Sequence, residues 1–241
     1  MATSSGKKQR KSNQMVQDMG QYAPVDKRFN QSKFPELKAL TYAQQDYIDA
    51  IRESDVVFAT GSAGTGKTWV ATHYAAEQLF YKKIDKIIIT RPAVEACGES
   101  LGFLPGDIEE KFLPYLLPYM ETFNQLLGKS FTEYCLKTGA IEAVPLAFMR
   151  GRSFKDCIVL GDELENATPM QLKLLLTRIG ENCKMLLNGD LDQKDIQGLS
   201  GLEDAIGRTR HVDEVEVITF TDDDIVRSGL CKKLLKAYKN Y

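Results

Sequence analysis

From residue 43 onward the chain alternates two kinds of apolar pattern. Compact runs of branched side chains, such as Val56-Val57-Phe58-Ala59 and Ile87-Ile88-Ile89, have the length and composition of buried strands. They predict strands at 55–60, 86–90, 141–144, 157–160, 184–188 and 215–220. Stretches whose apolar residues recur every three or four positions predict helices at 43–52, 68–79 and 169–178, and a long helix toward Tyr238. Thr168-Pro169 supplies an N-cap followed by a proline in the first turn, and Gly180 can close that helix. Strands separated by helices imply an α/β fold, a mostly parallel sheet covered on both faces. The segment FLPYLLPYMETF, 112–123, has prolines four apart, Pro114 and Pro118, which predicts broken helical turns in an insertion. Its aromatic side chains read as packing groups rather than base-stacking ones. No internal repeat is present.

Composition narrows the class. At 241 residues and 43% hydrophobic the chain can bury one full core, with no second core-sized block left over. The net charge of −2 hides an asymmetry: residues 1–38 carry eight Lys or Arg against three acids, leaving 23 basic and 30 acidic residues in the remainder. The sequence thus reads as a flexible basic N-terminal arm, 1–38, ahead of an acidic folded domain, 39–241; the arm reads as a solvated tail, with nucleic-acid contact the main competing reading. Five scattered cysteines without a C-x-x-C pair point to a reducing cytoplasm rather than to a disulfide framework or a zinc site. Two isolated histidines, His73 and His211, do not make a metal centre. No signal peptide and no apolar run long enough to span a bilayer is found, so no membrane role is expected.

Chemistry is concentrated in three strand ends. After the first predicted strand comes Gly61-Ser62-Ala63-Gly64-Thr65-Gly66-Lys67-Thr68, the P-loop spacing G-x-x-x-x-G-K-[ST]. Its glycines let backbone N–H groups curl round phosphate oxygens at a helix N-terminus, Lys67 reaches the β and γ phosphates, and Thr68 can ligate magnesium. The strand CIVLG ends in Asp162-Glu163, one carboxylate placed for the magnesium shell and the next for an attacking water. The strand ending LLNGD places Asp190, with Gln193 just beyond it, on the same edge of a parallel sheet. A carboxylate facing water favours hydrolysis over phosphorylation of a small molecule, and no N-K-x-D motif supports guanine specificity. In FMRGR, Arg150 and Arg152 flank Gly151 in an expected exposed turn suited to phosphate contacts, with ion pairing to acidic neighbours of this acidic body as the alternative.

Between about residues 41 and 238 the chain resembles the PhoH family, found in bacteria and many phages. The blocks AQQDYIDAI, GSAGTGKT, ITRPAVEACGESLGFLPGD, PLAFMRGRSF, DELENATPMQLKLLLTRIG, NGDLDQ, SGLEDA and FTDDDIVRSGL occur in order. The resemblance implies a single RecA-like domain, like the first motor domain of superfamily 1 helicases, that binds and hydrolyses ATP with Mg2+. By that likeness Gln44 reads adenine, Arg91 touches a nucleic-acid backbone, and Gln193 relays ATP state to that contact. Single-stranded nucleic acid, RNA foremost, is then the partner. Such motors close ATP between two domains, so a neighbouring copy is expected to complete the site in a ring-shaped homohexamer, with Arg227 as a finger reaching the adjoining γ-phosphate. A protein-assembly switch and a small-molecule kinase are the alternatives. Two departures stand out: Gly161 interrupts the apolar run before Asp162, which is expected to loosen the strand end, and Glu165 stands where Gln is common.

Overall fold

The computed structural model describes residues 33–92, 108–227 and 229–230. Most of the basic arm and the helix expected toward Tyr238 lie outside the described residues.

Apolar runs become six strands: β1 (Val56–Gly61), β2 (Lys86–Thr90), β3 (Ile141–Ala143), β4 (Cys157–Gly161), β5 (Cys183–Gly189) and β6 (Val215–Phe220). They form one sheet in the order β3-β2-β4-β5-β1-β6, and every pairing is parallel. Around it stand α1 (Tyr42–Glu53), α2 (Lys67–Phe80), α3 (Ile108–Leu127), α4 (Lys129–Thr138), α5 (Pro169–Leu176) and α6 (Gly201–Thr209). The predicted cap on α5 is present as a full capping box, with the Thr168 hydroxyl accepting from Gln171 N and the Gln171 side chain accepting from Thr168 N.

Side-chain alternation along each strand builds the two layers. Phe58, Val159 and Leu187 join Leu172, Leu175 and Leu202 in one hydrophobic cluster. Their neighbours Val57, Leu160 and Leu186 are buried as well. A strand covered on both faces needs apolar residues at every position, which is why these strands read as unbroken apolar runs. Because all strands run the same way, their C-terminal ends share one edge. The order places the end of β1 beside that of β5, and β5 beside β4.

The segment with two prolines differs from expectation. Residues 108–127 form one continuous helix, α3, not broken turns. Proline inside a helix costs about 3 kcal/mol through a lost hydrogen bond and a steric clash. Here Leu116, Tyr119, Phe123 and Leu127 repeat on one face and are all at most 4% exposed, so burial outweighs the local penalty. The spacing of four also stacks both gaps in the backbone ladder on one side of the helix. This face yields a test. Phe123→Ala is expected to cost about 3–5 kcal/mol in denaturant unfolding, whereas Leu117→Ala, on the exposed side, should stay within about 0.5 kcal/mol. Equal costs would contradict a single helix with one buried face.

Candidate phosphate-binding site

The loop between β1 and α2 is shaped by what surrounds its glycines. Gly61 has φ +123°, and a β-carbon there would run into the Phe220 carbonyl oxygen at the end of β6. Gly66, with φ +87°, lies so near Gln44 that a β-carbon would sit 2.6 Å from its Nε2. Both conditions exclude any side chain. The loop folds back on Lys67, which is only 8% exposed. Its ammonium donates to Gly61 O at 2.5 Å, Ser62 O at 2.9 Å and Thr65 Oγ1 at 3.3 Å, and lies 5.8 Å from the centre of the Phe220 ring. Burial pushes this ammonium's pKa down; Asp190, Asp162 and Glu165 oppose the shift. Gly66 caps α2 without a side-chain hydrogen bond, which leaves first-turn amides to an anion.

The ends of β4 and β5 face this loop. Asp162 Oδ2 accepts from the Thr68 hydroxyl and from the Tyr119 hydroxyl, each at 3.1 Å. Desolvation raises its carboxyl, and those two hydrogen bonds, with Arg91 and Lys67, pull it back. Glu163 takes a left-handed conformation, φ 52°, which turns its side chain into an ion pair with Arg91. Glu165, 4% exposed, accepts from Asp190 N at 3.0 Å and so ties the end of β4 to that of β5. Burial, with Asp162 and Asp190 nearby, pushes its carboxyl up to about 7. Asp190 Oδ2 accepts from Gln193 Nε2 at 2.6 Å.

These groups line one cleft of about 580 Å³, which brings together Ala63, Gly64, Thr65, Gly66, Lys67, Thr68, Arg91, Asp162, Glu163, Asp190, Gln193 and Arg227. Arg227, expected to reach a neighbouring copy, lines the cleft of its own chain: its side chain lies beside Gly64, and Val226 N donates to Gly64 O at 3.0 Å. Trp69, Pro118, Glu165, Asn166 and Asp195 line the cleft too. Sequence reasoning gave none of these five a role in the site, nor Tyr119.

Four residues are placed differently from expectation. Gln44 is 1% exposed and not in the cleft: its Nε2 donates to Thr65 O and its Oε1 accepts from Leu40 N, each at 2.8 Å. It braces the loop from behind, because the amide's polar ends are taken by backbone. Ser62 likewise stands behind the loop, donating to Asp222 Oδ1. Arg152 is held by both oxygens of Glu142, at 2.7 and 2.9 Å, with Lys86 on the same carboxylate, so it is committed to an internal ion cluster. Of the FMRGR pair, Arg150 is the one exposed in the turn. Gly161 does not loosen β4. It is the buried last residue of that strand, and a β-carbon there would lie 2.8 Å from Leu164 Cδ1 and 3.0 Å from Leu187 Cδ2.

Among the described residues no cluster of three or more His, Cys, Asp or Glu could hold a metal alone. Thr68 and Asp162 nevertheless offer two hard oxygens 3.1 Å apart. That suits Mg2+, which takes its remaining ligands from phosphate oxygens and water. Among the described residues no helix is long and apolar enough to cross a membrane.

Comparison with known proteins follows the same line. Residues 36–239 match the family model described as PhoH-like protein. The chain is 47% identical over 200 residues to Protein PhoH of Escherichia coli K12, covering 81% of this chain and 56% of that one. It is 44% identical over 209 residues to a PhoH-like protein of Bacillus subtilis, covering 86% and 65%. It therefore spans between half and two-thirds of the length of these relatives. Among solved structures, the UvsW helicase of bacteriophage T4 aligns with a TM-score of 0.48 at 11% identity, covering 78% of this chain and 62% of that one. The Pif1 helicase of Candida albicans aligns at 0.38 and 16% identity, covering 77% and 40%.

The raised carboxyl of Glu165 gives a pH test. Its folded pKa of about 7 lies above the ordinary 4.5, so the folded chain keeps this proton longer than the unfolded chain does. The contribution is complete below pH 4.5 and is lost as pH rises through 7. Glu165→Gln carries no proton to lose and can still accept from Asp190 N. Its melting temperature relative to the natural chain should rise between pH 5 and 8, by roughly 2–4 °C per kcal/mol recovered. A constant difference across that range would contradict the shifted carboxyl.

Proposed function

The chain belongs to the PhoH-like protein family, and from that premise we propose that it is a magnesium-dependent ATPase coupled to single-stranded nucleic acid, most directly RNA. The observation that carries the reading is the convergence of Lys67 and Thr68, at the start of α2, with Asp162 and Glu163, in the turn after β4, on one cleft. In this reading the amides of 63–68 and the Lys67 ammonium hold the β and γ phosphates. Thr68 and Asp162 would hold Mg2+, which would supply charge neutralisation at the phosphates. Glu163 accepts the proton of the attacking water, and Gln193, at the cleft rim, orients it.

The ion pair between Arg91 and Glu163 supports the coupling to nucleic acid. While the guanidinium holds the carboxylate, Glu163 is a poorer base. A phosphate backbone competing for Arg91 releases it. Arg150, in its exposed turn, and the basic residues of 1–38 add sequence-tolerant contacts. ATP turnover should therefore rise with single-stranded RNA and fall back with added salt, and removal of residues 1–38 should weaken binding while sparing basal turnover. A flat response to RNA and DNA, with a protein partner stimulating instead, points to an assembly switch. Label transferred from ATP to a small molecule points to a kinase. Glu163→Gln should keep ATP bound and lose roughly 10²–10⁴ in turnover, whereas Lys67→Ala should lose ATP binding itself.

Copies meeting head to tail close a ring when the rotation permits, and six is the number proposed. The cleft rim, at Arg227 and the 38%-exposed Glu163 side chain, is the side such a neighbour would cover. Arg227 in its own chain's cleft supports action within one copy, and Arg227→Ala should lower turnover by roughly 10³–10⁵. Mixing that variant with Lys67→Ala protein decides the route. Recovered activity means the arginine works on a neighbour's phosphate; none, with subunits shown to exchange, means it works on its own.

A further inference from the structure

A second cleft, of about 630 Å³, lies at the opposite edge of the sheet, where the strands begin. Cys157, Cys183, Asp55, Val56, Lys184 and Val215 are among the residues that line it, and none of them belongs to the phosphate site. Two thiols meet here for a topological reason. Cys157 opens β4 and Cys183 opens β5, and the parallel register pairs them directly. Register partners on adjacent strands send their side chains to the same face of the sheet. The Cys157 thiol donates to Cys183 Sγ at 3.8 Å, and the two residues are 1% and 5% exposed.

We propose that Cys157 and Cys183 form a redox-active dithiol, a modification site at which hydrogen peroxide closes a disulfide across β4 and β5. The two sulfurs differ in role. Cys183 receives the S–H of Cys157 and the backbone N–H of Gly180, and these hydrogen bonds lower its pKa against the effect of burial. Cys157, as the donor, is raised. Cys183, the more exposed of the two and the acceptor of the shared hydrogen bond, is the nucleophile, and Cys157 is the resolving thiol. The Cys183 thiolate attacks one oxygen of the peroxide, the O–O bond breaks, and the departing hydroxide takes up the proton that Cys183 released, giving water and a sulfenic acid. The Cys157 sulfur then attacks the sulfenic sulfur, expelling a second water with its own proton. Two thiols lose two electrons and two protons; the peroxide is reduced to two waters.

Drawing the sulfurs from 3.8 Å to a bond of about 2.05 Å requires rotation about the Cα–Cβ bonds, and adjacent strands, about 4.8 Å apart, already lie within disulfide reach. A disulfide at the wall of an open cleft can be reopened by cellular thiols, which suits a reversible mark rather than a structural staple. Cys135 gives the contrast within the same chain: burial alone pushes its thiol up to about 11.

The test uses the folded, reduced full chain exposed to hydrogen peroxide, then blocked with an alkylating reagent, digested and mapped by mass. One linked pair of peptides, carrying Cys157 and Cys183, should dominate and should disappear with dithiothreitol. In urea its share should fall to roughly a tenth of all links, as five cysteines pair at random. In Cys157→Ser the reaction should stop at a sulfenic acid on Cys183 that dimedone traps. Cys183 over-oxidised while Cys157 remains alkylatable, or the same link yield in folded and unfolded protein, would overturn the proposal. The peptide map of the natural chain decides the matter even where a substitution fails to fold.

Discussion

The site depends on the burial of one ammonium group. Lys67 is withdrawn among the carbonyls of its own loop, and a buried charge left without partners costs several kcal/mol. Its counter-charges cannot come from the loop, which has none. They come from Asp162 and Glu165 after β4 and Asp190 after β5. The parallel sheet must therefore keep three strand ends in register, and the order β4-β5-β1 does so. The acids in turn crowd one another. Burial first, with Asp162 and Asp190 beside it, drives Glu165 to hold a proton near neutrality, and burial raises Asp162 as well.

A cradle for anions works only if its donors are fixed before the anion arrives. Here the fixing is done from behind. Gln44 joins α1 to the Thr65 carbonyl, and Tyr47 donates to Asn188 at 2.8 Å while its ring meets Phe220 edge-on. The Phe220 carbonyl presses on Gly61, and the residues that follow β6 return to bond Ser62 and Gly64. The loop is thus held by α1, β5, β6 and the turn after β6, elements drawn from nearly the whole folded chain.

That distribution explains what could be read from sequence. The central strands were legible because a doubly covered parallel sheet demands apolar residues at nearly every position, whereas the edge strands β3 and β6 carry polar residues such as Glu142 and Glu216. The loop and Asp162-Glu163 were legible because their chemistry sits in contiguous residues. The side chains with long-range partners were not. Tyr119 reaches Asp162 from a helix 43 residues away, and the prolines in that helix masked its existence. Arg152 looked available because its partner Glu142 lies ten residues back, in β3, while Arg152 itself sits in the loop beyond. Glu165 was noticed as a departure, but its enclosed environment is a property of the folded state alone. Gln44 was singled out from the sequence, but its hydrogen bond to the Thr65 carbonyl shows only in the fold.

Gly161 carries a consequence for how such chains diverge. The space that a side chain at this position would need is filled by Leu164 and Leu187, one in the turn after β4 and one in β5. The three positions share a single fixed volume, so they cannot drift independently. A lineage that acquires a larger residue at the end of β4 must trim one of the two leucines, and the order of those changes is constrained, since trimming first leaves a cavity and enlarging first forces a clash. Descent at this strand end is expected to leave a covarying triplet, with the total volume preserved while the identities change.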